Sequence, residues 1–134
     1  MDSRIVINLL IQIPRLHYEL GNASVYSLLV ESGYFECHEE ISEQAIFREL
    51  HKHTEYVSDW RSYSQDKRTS GWYLMEPNNG RYGIGYIPAD GTNAKETLEY
   101  SDEVSACAAF IKLEIENIRG AVSNSQSCKR NQKK

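Results

Sequence analysis

Cys37, His38, His51 and His53 are side chains in the first half of the chain whose types could do chemistry. A thiol beside an imidazole is the starting material of nucleophilic catalysis, in which the histidine removes the thiol proton. Neighbouring residues rarely point at one another, however, and no signature surrounds the pair. Cys37-His38 therefore reads as a loop cysteine next to a solvated histidine. The same four side chains suggest zinc ligation. His51 and His53 are two residues apart, which on a helix sends them to different faces, whereas metal motifs use offsets such as i and i+4. No metal site is expected. The carboxylate pairs Glu39-Glu40 and Asp102-Glu103 could serve acid–base chemistry. The first lies in a polar stretch and the second at a helix start, where acids answer the helix dipole, so they read as solvated and capping groups. The segment Gly80 to Gly85, "GRYGIG", has the glycines of a phosphate loop but no lysine after them, and it sits in a strand pattern. None of these features yields a catalytic residue or a cofactor.

The elements around them follow from periodicity. Val6, Leu9, Leu10, Ile13, Leu16 and Leu20 recur at helical spacing, with Pro14 either kinking that helix or starting a second, and Gly21 as a stop. Asn22 is a possible cap for a helix carrying Val25, Leu28 and Leu29 that ends at Gly33. "YFECHEE" then forms a polar link. Ser42 caps a long third helix, with Ile41 and Ile46 at staple offsets and Ile46, Leu50, His53, Val57 and Trp60 as one stripe. From Trp72 to Tyr86 the period changes to two, with Asn79-Gly80 as a tight hairpin turn. Gly83 and Gly85 leave backbone bare on one face for something bulky to lie across. "ETLEY" adds a short third strand. Ser101 caps a last helix whose apolar face is Val104, Cys107, Ala108, Ile111, Ile115 and Ile118 and which stops at Gly120. The expectation is an α+β fold. N-terminal helices precede a small antiparallel meander (a hairpin near 71–87 plus the third strand), and the C-terminal helix packs on the sheet. Residues 1–120 form one domain, and 121–134 are a disordered basic tail.

With 134 residues, 40% of them apolar and 25% charged, the chain is long enough for a real core. Its net charge of −4 is uneven: Lys129, Arg130, Lys133 and Lys134 leave the preceding body at 11 basic against 19 acidic residues, or −8. Such a body repels phosphate backbones and attracts basic proteins. Three cysteines without tight spacing point to a reducing compartment. The apolar run from Ile5 to Ile13 is too short for a bilayer and lacks a cleavage site. A cytoplasmic protein without membrane or direct nucleic-acid contact is expected. What remains is a surface. One acidic run is Glu31, Glu36, Glu39, Glu40 and Glu43, and a second is Asp90, Glu96, Glu99, Asp102 and Glu103. Tyr82 and Tyr86 lie in the hairpin beside the second. Tyrosine supplies rigid contact area and acids supply complementarity to an Arg/Lys-rich patch, so these twelve residues are the candidate partner-binding set.

The second half carries a further pattern. It has a Gly71-Trp72-Tyr73 strand, an Asn79-Gly80 turn leading to Tyr82, a Tyr86-x-x-x-Asp90-Gly91 turn, and an acid-started helix with Ala106-Cys107-Ala108-Ala109-Phe110. Over about Ser70 to Leu113 this resembles one group of bacterial immunity proteins, the antidotes of polymorphic-toxin and contact-dependent growth-inhibition systems. The resemblance implies a cytoplasmic, non-enzymatic protein that binds a cognate toxin domain, often a nuclease, and blocks its active site. Such active sites are basic because they hold phosphate, which an acidic body complements. Two other readings stay open: a small enzyme using Cys37 and His38, and an adaptor whose partner is not a toxin.

Overall fold

The computed structural model describes residues 3–67, 70–88 and 95–132, and among these the side chains of 95–97 and 122–132 are not described. Asp90 lies outside the described residues, as does the side chain of Glu96.

Pro14 settles how the chain begins. The first apolar run is two helices, α1 (Ser3–Ile11) and α2 (Ile13–Leu20), with the proline in the first turn of the second. A first turn does not need the amide proton that proline lacks. Gly21 closes α2 with φ of 73°, the left-handed conformation that glycine adopts without a Cβ clash. The cap of α3 (Val25–Ser32) is Ser24, not Asn22: its hydroxyl accepts the Ser27 amide at 3.0 Å.

The expected polar link is structured. Residues 34–40 form a one-turn helix, α4 (Tyr34–Cys37), and a 3₁₀ turn, His38–Glu40. Tyr34 and Cys37 are buried there, so the acids around them had masked two core residues. The long third helix is likewise two, α5 (Glu43–Lys52) and α6 (Glu55–Asp66). Ser42 caps α5 as expected, accepting the Ala45 amide at 3.1 Å. His53 ends α5 with φ −137° and ψ 62°, so the helix breaks inside the stripe. The stripe survives the break: Ile46 and Leu50 are buried on α5, Val57 and Trp60 on α6.

The sheet is an antiparallel meander of β1 (Gly71–Leu74), β2 (Tyr82–Ile87) and β3 (Lys95–Tyr100), in that order. Asn79 (φ 55°) and Gly80 (φ 75°) make the two-residue turn, clasped by paired backbone bonds between Asn78 and Arg81 of 2.9 and 3.0 Å. Two positive φ angles match the right-handed twist of the strands they join. Trp72 pairs with Tyr86, edge to face with centroids 4.9 Å apart, and Leu74 pairs with Ile84 inside the core. Gly83 and Gly85 are buried. A register irregularity between Ile84 and Gly85 bends β2 against β3.

The last helix, α7 (Glu103–Gln132), is capped by Asp102 instead of Ser101: Asp102 accepts both the Ser105 amide (2.9 Å) and its hydroxyl (2.8 Å). Ala106 through Ile111 are buried without interruption, more than one helical face can hold. The reason is that α7 packs along α5 and α6 on one side and against the sheet on the other. Small side chains at 106, 108 and 109 let these layers approach. Gly120 does not stop the helix, which runs on to Gln132. Trp60 is the largest fully buried side chain, set edge-on to Phe110 at 6.1 Å, and its Nε1 donates to the Ile11 carbonyl at 2.9 Å. Truncating such a residue to alanine costs about 3–5 kcal/mol.

Candidate functional site

Cys37 ends α4 facing inward, and its thiol donates to the Gly33 carbonyl at 3.3 Å. Burial pushes the thiol's pKa up, and the charges of Glu40 and Glu36 push it further. A nucleophilic cysteine needs the opposite environment. His38 is turned elsewhere, its ring 6.2 Å from that of Tyr34. Cys107 is wholly buried in α7 and its thiol is likewise raised by burial. His51 packs on Phe47 with ring centroids 5.6 Å apart, while His53 Nδ1 lies 3.7 Å from Glu55. Among the described residues no three His, Cys, Asp or Glu side chains are grouped to hold a metal ion. Within the same residues no helix is long and apolar enough to cross a membrane.

Two polar networks tie the helices to α7. In the first, Tyr34 donates its hydroxyl proton to Glu116, which Arg119 grips through two bonds of 2.9 and 3.0 Å. Lys112 donates to the same phenolic oxygen at 2.8 Å. Hydrogen bonding from Arg119 is the main cause that holds Glu116 down at about 2. Burial lowers the Lys112 pKa, against the pull of Glu116. In the second, Tyr63 donates to Glu114, whose other oxygen meets Lys67 Nζ at 2.8 Å, and Lys67 also donates to the Trp72 carbonyl at 2.9 Å. Every charge in these networks has a partner, so they hold the fold together and offer no reactive group.

The acidic runs have different fates. In the first, Glu31, Glu36, Glu39, Glu40 and Glu43 are all exposed, and none makes an ion pair among the described residues. In the second, Glu99 pairs with Arg81 at 2.6 Å, Glu103 with Arg61 at 2.8 Å, and Asp102 is the α7 cap. Glu43 lines a small hollow of about 280 Å³ with Phe47 and Tyr100, and its charge adds to burial in raising the Tyr100 phenol. Tyr100 stands opposite Tyr82 in the sheet. The structure thus brings Glu43 and Tyr82 together through Tyr100. Tyr82 is half-buried, and Tyr86, 37% exposed, leans on Trp72.

A groove of about 630 Å³ between α2 and α6 was not foreseen from the sequence. Tyr18 stands at it 88% exposed, with Glu19, Asp59 and Asp66 among its lining and Tyr63 and Lys67 at its inner end. The only signal for it was negative: position 18 lies off the apolar spacing of Ile13, Leu16 and Leu20. Compared with protein-family models, with curated proteins and with solved structures, the chain matches none of them.

Proposed function

We propose that this chain is a binding protein of the immunity type, which neutralises a basic toxin domain, a nuclease in the first instance, by covering its active site. One observation carries the reading. Five exposed glutamates between Glu31 and Glu43 have no lysine or arginine among them and no ion-pair partner among the described residues. An acidic face left uncompensated raises encounter rates with cationic proteins and repels anionic ones. The inward, proton-holding thiol of Cys37 supports a binding role over a Cys37-dependent enzyme.

The test replaces all five glutamates by lysine and measures affinity for, and protection against, the toxic product of the neighbouring reading frame. Exposed charge pairs are each worth about 0.2–1 kcal/mol, so losing five weakens binding by between about fivefold and a few thousandfold, and turns an attraction that salt screens into a repulsion that salt relieves. Unchanged protection in the lysine variant refutes the acidic-face reading. Capture of a basic partner that is not toxic supports the adaptor instead.

A further inference from the structure

The groove between α2 and α6 has its own charge balance. Lys67 is satisfied by buried Glu114 at 2.8 Å, and Arg15 by Asp59 at 2.9 Å. That leaves Glu19 and Asp66, both exposed and neither ion-paired among the described residues, as the uncompensated charge of the lining. Tyr18 presents an aromatic face that almost nothing in the chain covers. In the first turn of α2, Arg15 already lies over the Tyr56 ring, its guanidinium carbon 4.8 Å from the centroid.

We infer that this groove seats the side chain of an arginine presented by the protein partner, with its guanidinium on Tyr18 and held by Asp66 and Glu19. The inference rests on the reading of the chain as a binder of a basic protein and adds the anchor residue. Arginine suits the lining better than lysine. Its planar cation stacks on a tyrosine face while its fork of donors reaches two carboxylates at once, and it is more weakly hydrated than an ammonium. The volume, within the range of ordinary ligand sites, leaves room for the peptide on either side of the arginine.

A short blocked peptide with one central arginine is titrated into the full chain, with its uncharged citrulline counterpart as control, and amide shifts are followed by NMR. Saturable shifts at Tyr18, Ser62 and Asp66 with the arginine peptide alone are the expected result. Glu19→Gln with Asp66→Asn weakens binding about tenfold, given up to about 1 kcal/mol for each exposed pair lost. Tyr18→Ala weakens it as well, and Tyr18→Phe, which keeps the ring, binds as the parent does. Absence of saturable shifts at the groove, or equal binding of the citrulline peptide, overturns the inference. The two readings separate cleanly. If lysine substitutions in the Glu31–Glu43 run abolish capture of the basic partner while the peptide ignores the groove, the groove inference fails alone. If the peptide seats and those substitutions change nothing, the acidic-face reading fails and the groove stands.

Discussion

Lys67 Nζ lies 2.8 Å from Glu114 Oε1 with both side chains almost sealed from water, 8% and 4% exposed. The pair joins the end of α6 to the middle of α7, and the bond from Lys67 to the Trp72 carbonyl adds the first strand. Removing one partner strands the other charge in a low-dielectric interior, which typically costs 3–5 kcal/mol, whereas removing both costs far less. Lys67→Met is therefore expected to lose about 3 kcal/mol in urea denaturation. Adding Glu114→Gln, whose carbonyl still accepts from Tyr63, is expected to restore most of it. Equal losses in the single and double variants would show that the pair contributes no coupling.

The Glu116 site makes stability sensitive to acid. Its folded pKa, about 2, lies below the ordinary 4.5, chiefly because Arg119 hydrogen-bonds the carboxylate. Between those values the unfolded chain binds more protons than the folded one. The contribution is therefore complete at neutral pH, begins to fade below about pH 5 and is gone near about pH 2. Melting temperatures across this window should fall less steeply in Arg119→Leu than in the parent. Parallel curves would exclude the site as a source of acid lability.

At the other end of the scale, Tyr34 and Tyr63 are held neutral, both mainly by burial and then by the glutamate that accepts their proton. Their folded pKa values lie far above the usual 10.0, so their contribution is intact below about pH 10 and is lost as the pH rises beyond it. In an ultraviolet titration of the nine tyrosines, two are expected to ionise only together with unfolding. Ionisation of all nine before any loss of helical signal contradicts this.

Cys37 and Cys107 should behave as inert core residues, since both thiols are buried and their pKa values raised. In a Cys128→Ser background, a thiol reagent is expected to react at a rate set by unfolding, accelerating in urea. Cys37→Ala should leave partner binding unchanged. Rapid labelling of the native protein would return Cys37 to the list of candidate nucleophiles.

Elements with a local signature were legible in the sequence: Ser42 as a cap, Gly21 and Gly33 as stops, and Asn79-Gly80 as a turn, because each depends on backbone geometry within a few residues. The α+β order and the packing of the last helix on the sheet also followed from periodicity. The errors fall where tertiary contacts decide. Tyr34 and Cys37 are buried because α4 packs on α1 and α3 while Tyr34 also meets Glu116 and Lys112 of α7, a fact invisible among neighbouring glutamates. The stripe through His53 looked continuous because the spacing survives the break between α5 and α6. Charge runs read as one surface separate once Arg61 and Arg81 arrive from distant elements to pair with Glu103 and Glu99. The groove at Tyr18 had no linear signal beyond the off-stripe position of that tyrosine, since α2 and α6 supply its walls from positions forty or more residues apart.

Because α7 closes on Tyr34 from 82 positions away and on Arg61 from 42, the chain is translated long before its interior can be completed. During that interval α1 to α6 emerge with Trp60 and its neighbours lacking the surface they need. The edge-on packing of Trp60 on Phe110 and the Tyr34–Glu116 bond therefore wait on the synthesis of α7.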